Sequence, residues 1–495
     1  MNLLEAFDQL LQPWRSLFPQ QRTFQRAHRL SLGLLTSSPP HLTSTALCTL
    51  GRQFRDWSAE YRLFSRSPWE PHRLFDPVFD HLNSLLPSSS SAPVLAALDD
   101  TLCKKTGRHI PGVTTARDPL SPHYHVNLCR GLRFVQLSLL VPPQHAPGPA
   151  RAFPVRFDPA PPVPKPKKNA PPEVWKTYRQ EKRAHSLSQV GVATLADVRQ
   201  ALDQRPATQA RQLLASGDGS YTNRTVLRQL PRHTTFVGRI RKDAKLYFPL
   251  PPPSPSPARG RRKRYGPPAP TPEQVLHEES IPWQKIPCFA AGQEREIPVK
   301  SLRPLYWRKS GPDLPLQLLV IKPLGYRLRK GAKLLYRQPA FLVCTDPQLD
   351  LKTFLQGYIY RWEIECNHRD EKSLLGVAEG QVRNPQAVAR LPQFQVAIYS
   401  LLLLASLLAY GFQRTTAYLP LPKWRRQPIR PSLLDLLNLF RQQIFARACP
   451  SEPLLVSTTS LLPPHQPRSH RNYLPLPRSS LPSKLNRRAV LATNC

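Results

Sequence analysis

Acidic residues are scarce in this chain: Asp+Glu number 32 against 70 Lys+Arg, a formal net charge of +38 over 495 residues. That imbalance argues against an enzyme of small neutral metabolites and points to a polyanionic partner, because each phosphate contact releases counterions. Paired metal-type cysteine spacing is also missing. The eight cysteines include no CxxC and no Cys/His pairing, so neither a zinc module nor a disulfide framework is expected. Long apolar runs are rare too. Residues 391–413 carry no charge and approach the length of a membrane span, but Pro392, Gln393 and Gln395 interrupt the front, and no second segment resembles a partner. The expectation is a buried core helix and no membrane. The opening MNLLEAFDQLLQPW carries acids and lacks a basic n-region, so a soluble, cytoplasmic protein is expected.

Proline is plentiful, with 59 residues, and 40% of the chain is hydrophobic, enough for a sizeable core. Residues 1–90 read as helical. Within them His41–Arg66 holds two short helices around Gly51, compatible either with a helix-turn-helix or with two ordinary packed helices. Pro87–Pro93, with its serine run, reads as a linker. APVLAALDDT follows as an apolar strand ending in two acids. Tyr124–Leu128 and Arg133–Leu139 alternate as strands, joined by a hairpin at Arg130–Gly131. Residues 142–186 read as a Pro/Lys-rich loop with little core. A helix is expected over 195–202, with Thr194 as its cap. A weak strand then reaches Asp218, Thr222 or Asn223 caps a short helix, and Thr234–Ile240 is a β-branched strand. Strand, acid, helix and strand make an α/β unit. Residues 241–339 read as a β-rich insertion with a basic disordered arm, including strand-like Leu302–Trp307 and Leu316–Ile321. Ala340–Thr345 is a buried strand, 350–375 one long helix stopped by Gly376, 393–412 and 431–445 further helices, and 448–495 a disordered tail.

The chemistry concentrates in YIYRWEIECNHRDEK, Tyr358–Lys372. Tyr358, Arg361, Glu365 and Lys372 stand at offsets 0, 3, 7 and 14. At roughly 100° per residue they fall within about 60° of one another on a helix. A carboxylate flanked by two cations and a phenol suits a phosphodiester: the acid can hold a divalent metal, and the donors can hold phosphate oxygens. The bland alternative is a solvated face with i,i+4 ion pairs.

The spacing Y-x2-R-x3-E-x6-K, with RWEIE around the glutamate and LLGVAEGQVRN after it, resembles the signature of DDE-type transposases of bacterial insertion sequences, the insertion-sequence-four and Tn-five-like superfamily. The resemblance implies an α/β fold: an RNase H-like catalytic core, a mixed sheet flanked by helices, with a β-rich insertion and an N-terminal all-helical region. It divides the chain into a helical DNA-binding region (1–90), two parts of the core (91–240 and 340–447) and the insertion (241–339). Two further carboxylates at strand ends are then required. Asp99, in a D-x-T setting, and Asp218 fill those places, with Asp100 as an alternative to Asp99 and Asp243 as a rival to Asp218.

Asp99, Asp218 and Glu365 are thus expected to be catalytic and to ligate two Mg²⁺ or Mn²⁺ ions, hard cations that take oxygen donors. Tyr358, Arg361 and Lys372 are expected to hold DNA phosphates. The implied reaction is hydrolysis of a strand at the element end, followed by attack of the freed 3′-OH on target DNA. The implied partners are DNA (terminal inverted repeats and target), met on the nucleoid, and a second copy in a synaptic homodimer. In this family a tryptophan of the insertion stacks on an unpaired base; Trp307 and Trp283 are the candidates, with core packing as the alternative. Arg261–Arg264 and Lys165, Lys167 and Lys168 either track a DNA backbone or simply solubilise loops. His368 is expected to be a surface or satisfied histidine rather than a ligand.

Overall fold

The computed structural model describes residues 1–86, 92–118, 121–122, 124–144, 147–252, 263–327, 329 and 331–448. The expected linker core at 87–91, Arg261 and Arg262 of the basic arm, and the tail from 449 onward lie outside the described residues.

The chain opens with six helices: α1 (Leu3–Leu11), α2 (Gln21–Thr36), α3 (Thr43–Thr49), α4 (Ser58–Ser65), α5 (Asp76–Asp80) and α6 (Leu82–Leu85). Asn2 and Glu5 cap α1 reciprocally, the side chain of each accepting from the other's backbone N–H. Residues 50–57 separate α3 from α4, a longer joint than the three- or four-residue turn of a helix-turn-helix.

The centre of the molecule is a sheet. Its strands are β1 (Val94–Lys104), β2 (Thr114–Arg117), β3 (Leu128–Val141) and β4 (Arg151–Pro159). Helices α7 (Pro172–Ala184) and α8 (Leu187–Asp203) follow, then β5 (Leu213–Gly217), α9 (Arg224–Arg228) and β6 (Thr234–Arg239). Next come β7 (Leu246–Tyr247), α10 (Pro272–His277), β8 (Gln284–Ala290), β9 (Gln293–Trp307) and β10 (Gly311–Ile321), and the small pair β11 (Gly325–Tyr326) and β12 (Leu335–Tyr336). Strand β13 (Ala340–Cys344) precedes helices α11 (Leu351–Tyr360), α12 (Trp362–Ser373), α13 (Pro385–Tyr410) and α14 (Leu433–Ala448). The order across the sheet is β2-β3-β1-β5-β6-β13-β10-β9-β7, with β4 also on β3 and β8 also on β9. Strands β1, β5 and β6 are parallel, β3 runs against β1, and β4 runs against β3. This meander leading into parallel strands, with helices packed on it, is an RNase H-like core. The strands from 241–339 are not a detached body, because β10 pairs β13 and so extends the same sheet.

Several local expectations are corrected. Residues 142–186 are a loop only in part: 160–171 form neither helix nor strand, but a strand and a helix lie on either side of them. RAFPVRFDP forms β4, with Phe153, Val155 and Phe157 fully buried, and its Pro154 is tolerated because β4 pairs only with β3. No hairpin forms at Arg130–Gly131. Gly131 lies inside β3, where a Cβ would meet the Cys103 carbonyl at 2.7 Å, so the glycine marks a close strand approach rather than a turn. Helix α8 starts at Leu187, capped by Ser186 rather than Thr194; Thr194 Oγ1 instead donates to Asp158 at 2.6 Å. Asn223, not Thr222, caps α9, accepting from the backbone N–H groups of Thr225 and Val226.

The helix expected over 350–375 is two helices. The chain tightens at Arg361, whose N–H bonds Tyr358 O at 3.1 Å, and Ile364 N–H bonds Arg361 O at the same distance, both i→i−3. The apolar helix α13 begins at Pro385, earlier than 393, with Asn384 as its cap and Pro392 inside it. It is long and apolar enough to cross a membrane, yet it lies in the core, with Phe394 touching the rings of Trp14, Phe64 and Trp69. Burying such an aromatic side chain contributes about 1.5–3 kcal/mol.

Candidate active site

The parallel ladder between β1 and β5 ends at Leu98 opposite Gly217. One further step along that register brings Asp99 beside Asp218. This is the carboxyl end of parallel strands, where open α/β sheets place their ligand sites. Asp218 is locked by an Asx turn: its Oδ1 accepts from Ser220 N at 2.9 Å and from Ser220 Oγ at 2.6 Å. Gly217 is demanded by close packing, since a Cβ there would lie 2.8 Å from the Phe236 ring.

Strand alternation separates the two neighbouring aspartates. Leu95 and Ala97 share a cluster with Tyr360 and Ile364, so that face of β1 looks toward α11 and α12. Asp99 falls on the same face, and its Oδ2 lies 3.4 Å from Arg361 Nη1. Asp100 turns the other way, toward Arg133 (Nε to Oδ2, 3.4 Å) and Tyr221, whose hydroxyl donates to Oδ1 at 3.4 Å. Arg133 and Tyr221 belong to no short motif, and sequence reasoning missed both.

Arg361 is the junction of the site. Its Nη2 donates to Glu365 Oε1 at 2.8 Å while Nη1 faces Asp99, and its guanidinium sits 5.8 Å from the Tyr358 ring centre. Burial alone would weaken its hold on the proton, but Tyr358, Glu365 and Asp99 around it raise its pKa instead. Of the four stripe residues, the geometry thus joins Tyr358, Arg361 and Glu365. Lys372, half-buried further along α12, forms no salt bridge among the described residues, although Asp100 senses its charge.

Burial is the first cause that pushes Asp99 up to about 7; Arg361 opposes it, and the nearby charges of Asp218 and Asp100 add to it. Asp100 is raised for the same leading reason. Asp243 stands apart, exposed, with its carboxylate on Arg241 at 3.0 Å.

The donor set of Asp99, Asp218 and Glu365 is all oxygen, the type hard divalent cations take. The raised pKa of Asp99 shows like charge and burial that a cation would relieve. Among the described residues, however, no group of three His, Cys, Asp or Glu side chains stands close enough to hold a metal ion. The Arg361 guanidinium lies between Asp99 and Glu365 and pairs with both.

His368 is neither on the surface nor satisfied. It is buried with Nε2 unpartnered, and burial, then Lys372 and Arg361, drive its pKa down to about 3. Trp307 is 7% exposed in β9 and packs in the core, which removes it as a base-stacking residue; Trp283 is half-buried with Lys300 and Lys322 over its ring at 4.7 and 5.5 Å. Lys105, also missed, is buried and donates to the carbonyls of Ala378 and Gly380, tying the end of β1 to the segment after α12.

A family model described as DDE superfamily endonuclease matches residues 22–308. The matched stretch contains Asp99 and Asp218 and ends before Glu365. No curated protein matches the chain.

Proposed function

We propose, from the premise that this chain belongs to the DDE superfamily endonucleases, that it is a transposase of the insertion-sequence-four and Tn-five-like group. In this reading it cuts DNA at the ends of an insertion sequence and joins the freed 3′-OH to target DNA. The observation that carries the reading is the register of β1 and β5, which sets Asp99 beside Asp218, with Arg361 linking Asp99 to Glu365 on the same face.

Asp99, Asp218 and Glu365 would hold two divalent ions, Mg²⁺ or Mn²⁺, which when bound neutralise phosphate charge and activate the attacking oxygen. Arg361, released from the carboxylates, donates to the scissile phosphate's oxygens as a planar fork. Lys372 supplies a second cation further along the strand. Tyr358 donates its hydroxyl to a phosphate oxygen and keeps the guanidinium seated. A synaptic homodimer on the nucleoid completes the proposal.

Purified protein should nick DNA bearing the element's ends only with Mg²⁺ or Mn²⁺. Asp99→Ala, Asp218→Ala and Glu365→Ala should each abolish nicking and still bind DNA, while Asp243→Ala should cut normally. Normal cutting by Asp218→Ala would sink the assignment. One observation favours a second reading, an inactive DNA-binding descendant: the closed Asp99–Arg361–Glu365 bridge. That protein would bind DNA and yield no metal-dependent product.

A further inference from the structure

Helix α7 is a 13-residue helix in which no residue is buried. A helix that hides no apolar face gains little from packing, so something other than the core accounts for its composition. Its charges are sorted by face. With Lys176 as origin and roughly 100° per residue, Lys176, Arg179, Lys182 and Arg183 fall within about 120° of one another, and Glu173 and Glu181 fall on the opposite side. By the same count Trp175 falls inside that arc and Tyr178 about 40° beyond its edge, the two rings 5.8 Å apart and edge-to-face. Lys182 reaches over the Tyr178 ring at 5.7 Å, and Lys165 over Trp175 at 6.0 Å, so the Lys-rich segment before the helix folds back onto the same face.

The root of α7 is fixed at the carboxylate site. It ends at Ala184, two residues before the Ser186 cap of α8. The first turns of α8 pack on the Asp218 loop: Asn223 Nδ2 donates to Ser188 Oγ at 2.7 Å, and a Cβ on Gly191 would lie 2.8 Å from the Tyr221 ring. From that rim α7 extends about 20 Å at 1.5 Å per residue, the length of about six base pairs of duplex.

We infer that α7, together with Lys165, Lys167 and Lys168, is a docking arm that grips the phosphate backbone of duplex DNA beside the cut site. The inference rests on the reading that the chain acts on DNA, and deepens it by naming an element that holds the flanking duplex. Cations match phosphates every few ångströms, and the aromatic pair holds the ammonium groups of Lys165 and Lys182 over its rings by cation–π attraction, which keeps these charges on the exposed face of the arm.

The test measures binding of a fluorescent 40-base-pair duplex across a salt series without divalent metal. The variant carries Lys176→Gln, Arg179→Gln, Lys182→Gln and Arg183→Gln; because these side chains are exposed, its thermal midpoint should equal that of the wild type. At 0.1 M salt its affinity should fall at least tenfold, with a log–log salt slope shallower by about 0.9 for each phosphate no longer neutralised. The control removes four other exposed cations, all outside residues 1–90: Lys333→Gln, Lys423→Gln, Arg425→Gln and Arg426→Gln. An unchanged slope in the α7 variant, or an equal drop in the control, overturns the inference. So does a changed oligomeric state in sedimentation with DNA binding intact, which would make the arm an interface between copies. Wild-type protein that binds but never cuts with Mg²⁺ sinks the transposase reading and leaves the docking arm standing.

Discussion

Replacing Asp99 by Asn should stabilise the metal-free protein while destroying cleavage. The Asp99 carboxyl rises from 3.8 to about 7 in the fold, so the folded chain holds this proton more tightly than the unfolded chain does. Stability from this group is therefore lost as pH rises from about 4, and the loss is complete above about 7. The attraction of Arg361 is already contained in that net shift. About three units at 1.36 kcal/mol each give about 4 kcal/mol at pH 8, and the 1.2 units between 3.8 and pH 5 give about 1.6 kcal/mol. Asparagine is neutral at every pH and escapes the cost, while Arg361 keeps Glu365. Urea unfolding in EDTA should show Asp99→Asn more stable than wild type at pH 8, with the gap shrinking by more than half at pH 5. Adding Mg²⁺ at pH 8 should stabilise wild type and leave the variant unmoved. A variant less stable than wild type at pH 8, or a gap that ignores pH, would refute the claim that Asp99 is a crowded, buried charge.

His72 bridges the helical region to the core, its Nε2 2.7 Å from Asp158 and its Nδ1 3.3 Å from Asp197. Although burial works against its charge, the two aspartates raise its pKa to about 9, so its contribution is present below about 6.5 and vanishes as pH rises through 9. Its side chain is 37% exposed, and screening limits His72→Gln to a loss of about 1 kcal/mol at pH 6; stability measured at pH 6 and above 9 should show that gap open and then close. Gly131→Ala forces a Cβ to 2.7 Å from the Cys103 carbonyl and should cost about 1–3 kcal/mol, read from the unfolding midpoint; a neutral effect would mean that β1 and β3 are looser than described. Phe394→Ala empties the ring cluster between α13 and the N-terminal helices and should cost about 3–5 kcal/mol, read as earlier proteolysis of residues 1–90.

Strands β1 and β6 were legible because their signals are local. LAALDD is an apolar run broken by charge, and TTFVGRI is β-branched. What sequence could not show was pairing. Phe153, Val155 and Phe157 alternate as a strand should, but prolines and arginines around them masked the period, and only an edge place on β3 makes Pro154 acceptable. Gly131 misled for the same reason: a glycine beside arginine reads as a turn, and its real cause is a neighbouring strand some thirty residues earlier in the chain.

The site divides along the same line. The offsets of Tyr358, Arg361 and Glu365 predict one helical stripe, and these three meet even though the helix breaks at Arg361, because i→i+4 survives a tightened turn. Lys372 lies past the break and drifts toward Asp100. The choice between Asp99 and Asp100 could not be made without knowing which face of β1 the last helices cover; the cluster of Ala97 with Tyr360 and Ile364 supports Asp99. What no spacing announces is that a guanidinium stands between Asp99 and Glu365. A salt bridge of this kind resists removal of one partner and tolerates exchange of partners. A phosphate offers Arg361 the same bidentate geometry as a carboxylate. In the proposed reaction the substrate itself would therefore draw Arg361 away and free both acids together, linking DNA binding to assembly of the cation site. Arg361→Ala separates the two events: it should leave Asp99 without its counter-charge, raising its pKa further, so that any surviving cleavage shifts to higher pH. A pH–rate profile unchanged by Arg361→Ala would mean that the bridge is not what restrains the site.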